Sequence, residues 1–209
     1  MCMCFSATAS FVASGGLAIV GVASLRIATK KQIIIAAIPL LFAIQQMFEG
    51  FQWLSISSGH TNPCAGYGFA LLALVVWPVY LPLAVYMLDK QRRHVTKWFL
   101  ALGTALSAYF MTILVLGSMQ IVPMKLGIYY KIDMLLGLVT APLYVIATCG
   151  SLLASSLKFF RIFGIATFVS VFITIVFFAR TFTSTWCFFS AILSVLIYIY
   201  LVQNRKNKQ

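Results

Sequence analysis

Acidic residues are nearly absent from this chain. Only three of its 209 positions are Asp or Glu, against fifteen Lys or Arg, and all charged residues together make up 9% of the sequence. Soluble domains typically carry about 25% charged residues. A chain that is 62% hydrophobic with so little charge cannot cover itself for water, so the bilayer must be its solvent. The net charge of +12 does not point to nucleic acid as a partner. The basic residues fall in short clusters between apolar runs, and no basic, aromatic-interleaved patch of the kind that stacks single strands is present.

What is present is a series of apolar runs, each about the 17–25 residues that cross a bilayer as a helix. The expected class is all-α, a polytopic membrane bundle of seven spans at roughly 8–25, 33–56, 66–88, 98–120, 136–156, 162–179 and 183–203. No room is left for a separate soluble domain. Between the fourth and fifth spans a long loop, 121–135, carries Pro123, Lys125, Tyr129, Tyr130, Lys131 and Asp133.

Seven spans sort the basic residues cleanly. Arg26, Lys30, Lys31, Lys90, Arg92, Arg93, Lys97, Lys158, Arg161, Arg205, Lys206 and Lys208 fall on one face, and Lys125, Lys131 and Arg180 on the other. Cytoplasmic loops are the richer in Lys and Arg. The expected orientation is N-terminus outside and C-terminus inside, in the bacterial cytoplasmic membrane. The basic inner loops are expected to meet anionic lipid headgroups, with His94 among them. The opening MCMCFSATASF has no basic region ahead of its apolar run, so it reads as a retained first span rather than a cleaved signal. Pro39, Pro78, Pro82 and Pro142 lie inside spans, where proline removes a backbone donor and kinks the helix; bundle shape is the main expectation, a gating hinge the lesser. A parallel three-plus-one-plus-three repeat fits the topology, but the residues show no convincing self-similarity.

The two histidines, His60 and His94, fall in loops on opposite faces. That removes an intramembrane haem ligand and a Ser-His-Asp triad. It also removes the three-histidine zinc site of ceramidase-type membrane hydrolases, which likewise have seven spans and an outside N-terminus. A retinal-type Schiff base needs a lysine in the last span, and none lies between Thr183 and Val202.

Glu49 is the only acidic residue inside any apolar run. A charged side chain at mid-bilayer costs about 2.5–3.5 kcal/mol on insertion scales, and such residues face protein or a wet cavity. Gln45, Glu49 and Trp53 are spaced i, i+4, i+8, and Gln46 and Gln52 each lie three residues from Glu49, so one side of the second span carries a carboxylate, amides and an indole. Gly50 beside them permits close helix approach. This stripe is either a structural polar knot or a ligand, ion or proton site. Glu49 lies toward the outer end. Cys2, Cys4, Ser6, His60, Cys64, Lys131, Asp133, Arg180, Thr183, Ser184, Trp186 and Cys187 map to the same side. An outward-facing pocket around Glu49 is therefore expected, with Trp186 near it and Arg180 as the preferred counter-charge, Lys131 the alternative. Four of the five cysteines lie on this oxidising side, so one disulfide, such as Cys4 to Cys64, is plausible. Cys2 and Cys4 could hold a thiophilic metal such as Cu(I). Cys149 reads as an apolar filler.

The segments CFSATASF (4–11), PLLFAIQQMFEGFQWL (39–54), WPVYLPLAV (77–85) and STWCFFSAILSVLIY (184–198) resemble an uncharacterised bacterial integral-membrane family whose members begin Met-Cys-Phe-Ser-Ala-Thr-Ala-Ser-Phe. The resemblance implies architecture and a shortlist of residues, not an activity or a cofactor. It also sets the family start at Met3, so Met1-Cys2 reads either as an extension or as a mis-assigned start. Three functional classes stand. First comes a small-molecule or ion transporter, or a membrane substrate-binding protein, using Glu49 with Gln45, Gln46, Gln52, Trp53, Arg180 and Trp186. Second comes an outer-leaflet enzyme or thiol or metal redox protein using Cys4 or Cys187. Third comes a structural or assembly subunit.

Overall fold

The computed structural model describes residues 6–124, 127–132 and 137–206. Among the described residues the fold is all-α but for one short hairpin. Helix α1 spans Ala7–Ile27, and Ser6 caps it, its Oγ accepting the Ala9 N–H at 3.2 Å. Helix α2 runs Ile33–Ser57 and α3 Pro63–Leu88. Asn62 caps α3 through the Ala65 N–H, and Pro63, with no N–H to waste, fills the first turn. Helix α4 is Arg93–Leu116 and α5 Gly137–Leu153. Then follow α6, Lys158–Phe178; α7, Phe182–Leu193; and α8, Val195–Lys206.

These form six helical runs, since α6 to α8 make one run of 49 residues, and five of the six are long and apolar enough to cross a membrane. The outward side chains agree. Ile19 is 74% exposed, Phe172 67% and Phe177 70%, an apolar surface far beyond what a water-soluble monomer tolerates. The chain is an integral, multi-pass membrane protein.

The 49-residue run is not straight. Helical geometry fails at Phe178 (φ −136°, ψ 31°) and passes through a single 3-10 turn, Ala179–Thr181. Trp186 then donates from its indole nitrogen to Ser170 Oγ at 3.1 Å, although sixteen residues of straight helix would separate the two by about 24 Å. The run folds back, and α7 packs on α6.

Two prolines shape α3. Leu71–Val76 is π-helical, with the Trp77 N–H reaching back to the Leu72 carbonyl. In that register the Ala73 carbonyl would be served by residue 78, but Pro78 has no N–H; the Tyr144 hydroxyl donates to it instead. Pro82 likewise frees the Pro78 carbonyl, which lies against Gly103 of α4 so closely that a β-carbon there would come within 1.8 Å of the oxygen. Freed carbonyls met by neighbouring helices are how a bilayer protein tolerates proline. A second π-helical stretch, Ile146–Gly150, sits in α5.

The expected loop 121–135 is instead, for its described part, an antiparallel hairpin of β1, Met119–Met124, and β2, Gly127–Ile132. Helix α4 accordingly stops at Leu116, short of the expected 120. Pro123 is compatible because a two-stranded sheet has only edge strands. The hairpin docks inward: Gly127, at φ +146°, lies against Thr181, and the Tyr130 ring stacks on Phe69 at 4.7 Å. Lys125 and Asp133 lie outside the described residues.

Candidate functional site

Helix α2 sends its polar stripe wholly inward. Gln45, Gln46 and Gln52 are fully buried, Glu49 is 1% exposed and Trp53 is buried beside them. Gly50 lets the Phe11 ring of α1 lie directly on the helix backbone, sealing that flank. Four polar side chains in hydrocarbon need partners, and each turns to a different one. Gln45 Oε1 accepts the Trp77 indole N–H at 2.6 Å. Gln46 donates from Nε2 to Glu49 Oε2 at 3.4 Å. The Gln52 amide pairs with the Asn62 backbone, donating to its carbonyl at 2.6 Å and accepting its N–H at 3.2 Å, and so pins the α2–α3 turn.

Glu49 takes its second partner from α7. The Ser184 hydroxyl donates to Glu49 Oε1, and Ser184 Oγ accepts the Ile128 N–H of β2 at 3.5 Å. A serine thus links the buried carboxylate to the hairpin backbone. Around it the Cys187 thiol lies alongside Gln45, and both Cys187 and Tyr130 are within electrostatic reach of Glu49. Burial, then the nearby Glu49 and Cys187, hold the Tyr130 phenol well above its ordinary value, so it keeps its proton and remains a donor. The Gln45 amide nitrogen faces the Cys187 sulfur, and among the described residues two buried polar atoms here find no hydrogen-bond partner: Gln46 Oε1 and the Tyr130 hydroxyl. Native proteins rarely leave such atoms unmatched without a bound species or a function. The pair offers a donor and an acceptor beside a carboxylate, the makings of a small polar or cationic site.

Next to this knot lies a cavity of about 100 Å³. Its inner wall is Ala73, Phe110, Tyr144, Trp186 and Cys187, all buried, while Leu74, Phe182 and Thr183 are partly exposed and mark its mouth. Trp186 is held by Ser170, as described above.

Arg180 does not pair with Glu49. It is exposed at the α6–α7 turn, and the carboxylate is answered by hydroxyl and amide hydrogens instead. Lys131 is exposed on β2 and makes no ion pair among the described residues. Cys187 joins the site, whereas Cys4 and Cys2 lie outside the described residues. Cys64, the other half of the expected disulfide, is exposed. Among the described residues no three His, Cys, Asp or Glu side chains gather to hold a metal.

Two contributors were not assigned from sequence. Ser184 was only one of several outer polar groups, and nothing local marks it as the partner of a residue 135 positions earlier. Tyr130 read as a loop residue, although the run Ile128-Tyr129-Tyr130 between Gly127 and Lys131 carries strand-forming residue types.

No curated protein and no solved structure matches this chain. One family model does, over residues 3–209, beginning at the methionine where the sequence resemblance placed the family start. On that match the chain belongs to the family of unknown function DUF6629.

Proposed function

We propose that this protein binds a proton or small cation at Glu49, as a transporter or substrate-binding protein of the bacterial cytoplasmic membrane. The carrying observation is the one acid within a membrane-spanning helix, beside two buried polar atoms, Gln46 Oε1 and the Tyr130 hydroxyl, that have no hydrogen-bond partner among the described residues. A purely structural knot would be expected to close its hydrogen bonds on itself. The reading includes seven crossings with the N-terminus outside. The fold-back at Ala179–Thr181 supports this by giving the last run two arms, α6 and α7–α8, of about 31 and 37 Å, each long enough to cross. Outer-leaflet thiol chemistry is the second reading, and the burial of the Cys187 thiol, which makes a cysteine inert, disfavours it.

Infrared difference spectroscopy tests the Glu49 reading. Wild-type protein in detergent should show a carboxyl band that titrates with pH and vanishes in Glu49→Gln. Its midpoint should fall as a bound cation is added, because cation and proton then compete for one group. Glu49→Gln should keep its melting temperature within a few degrees, since an amide oxygen still accepts from Ser184. A midpoint indifferent to every cation, together with a large melting loss in Glu49→Gln, would return Glu49 to a structural role.

We also propose anionic phospholipid as the partner of the basic end. Arg26 of α1 and Arg205 of α8 share a pocket of about 370 Å³ with Gln32 and Asn204. Neither guanidinium has an acidic partner among the described residues. Thr29 binds Gln32 Oε1, which leaves the Gln32 amide hydrogens to donate. The helix C-termini meeting here carry about half a negative charge each, less than the two arginines supply. Native mass spectrometry should show phosphatidylglycerol retained over phosphatidylcholine. In Arg26→Gln/Arg205→Gln that preference should fall by about thirtyfold, roughly fivefold per arginine. An unchanged preference removes the site.

A further inference from the structure

We propose that the cavity lined by Phe110, Tyr144, Phe182 and Trp186 is an aromatic cage for a small organic ammonium ion, of about the size of tetramethylammonium. The proposal deepens the Glu49 reading by naming its ligand class, and rests on that reading for the counter-charge alone.

The rings surround the space rather than filling it. Phe110 and Tyr144 lie 6.3 Å apart at 64°, Tyr144 and Trp186 5.6 Å apart at 72°, and Phe182 and Trp186 5.4 Å apart at 32°. This is a chain of tilted and edge-to-face rings, not a flat stack. The polar edges of two of them are already committed. The Tyr144 hydroxyl is tied to the Ala73 carbonyl, which Pro78 left free, and the Trp186 indole N–H to Ser170. What these rings have left to offer a ligand is therefore π-face, which carries negative potential and attracts a cation.

Charge selects the same ligand. No Lys, Arg or His lines the cavity, so an anion would meet ring faces with no cation to hold it. Cys187 forms one wall and lies within electrostatic reach of Glu49, the one carboxylate within a membrane-spanning helix. A bare metal ion or ammonium would keep too much of its hydration here, because few hydroxyls replace water. A methylated ammonium, whose charge is spread over an apolar surface, matches both the rings and the volume of about 100 Å³. The mouth beside Phe182 and Thr183, on the turn that also carries Ser184, opens at the Glu49 end of the bundle.

The test uses full-length protein in mild detergent, with tryptophan fluorescence and calorimetry as readouts. Tetramethylammonium chloride is titrated at constant ionic strength against sodium chloride, beside neopentyl alcohol, its neutral isostere. Saturable binding of the cation is expected, with the alcohol at least about tenfold weaker. Phe182→Leu, at the partly exposed mouth, should weaken the cation by about tenfold and keep the melting temperature within a few degrees. If the alcohol binds as well as the cation, or neither saturates, or Phe182→Leu changes nothing, the cage is overturned. The Glu49→Gln arm separates the two readings. Cation binding that survives in Glu49→Gln but is lost in Phe182→Leu keeps the cage and removes Glu49 as counter-charge. Loss of cage binding alongside a cation-sensitive Glu49 titration does the reverse.

Discussion

Gly103→Ala is expected to lower the melting temperature of the purified protein by roughly 6–12 °C, the shift that about 3 kcal/mol produces in a chain of this size. The new β-carbon would sit 1.8 Å from the Pro78 carbonyl oxygen and 2.7 Å from its carbon. Both are backbone atoms, held where they are by Pro82, which cannot take that carbonyl back into its own helix. No rotamer change relieves the overlap, so α3 and α4 must separate. The control is Gly16→Ala on α1, where nothing lies within 4 Å of the added carbon. There the same substitution should be neutral or raise stability, by up to about 1 kcal/mol from helix propensity. Detergent melts of the two variants side by side decide the matter; equal behaviour would mean that α3 and α4 are not packed this closely.

Asp89→Ala should cost about 3 kcal/mol or more. Asp89 follows the last residue of α3 and is 1% exposed. Its Oδ2 accepts the Ser155 hydroxyl at 2.8 Å and the Ser156 N–H at 2.6 Å, and its Oδ1 the Ser156 hydroxyl at 2.6 Å and the Arg92 N–H at 3.2 Å. Removing it leaves those donors short of an acceptor and unties the α3–α4 turn from the α5–α6 turn. The pH dependence has a definite sign. Burial alone would favour the neutral acid, yet the hydrogen bonds from Ser156, Ser155 and Arg92 outweigh it and hold the carboxyl below its ordinary value of 3.8. A depressed folded value contributes stability above the unfolded value and loses it as pH falls through the folded one. Wild-type melting temperature should therefore be flat above about pH 5 and fall in acid. Asp89→Asn should start lower and show a shallower fall. A wild-type acid profile identical in slope to that of Asp89→Asn would show the carboxylate contributing nothing.

The two sites differed in how far the sequence revealed them. Glu49 was legible because an acid inside a 25-residue apolar run is costly wherever it points, and helical spacing alone put Gln45, Gln46, Gln52 and Trp53 around it. What spacing cannot supply is the far side of the contact. Ser184 and Tyr130 arrive from α7 and β2, and short polar side chains there look like any others near a membrane surface. Arg180 was expected to pair with Glu49 because opposite charge is the strongest long-range reason available from sequence. The structure meets the carboxylate with hydroxyl and amide hydrogens, and leaves the guanidinium exposed. Asp89 was passed over entirely: one residue beyond an apolar run, it reads as an ordinary loop acid, and the serines that bury it lie 66 and 67 residues further on. The hairpin was hidden by Pro123, which argues against a strand until the sheet proves to have only edges.

That 66-residue separation also has a meaning in time. During synthesis at about 5–20 residues per second, α3 is complete roughly 3–13 s before Ser155 is added. Through that interval the Arg92 N–H is the one folded partner of Asp89 already made, and the rest of the carboxylate is answered by water or an outside chaperone. The α3–α4 turn therefore stays only partly tied until the α5–α6 turn has been made and brought to it, so Asp89 closes its hydrogen bonds late in the folding of the chain.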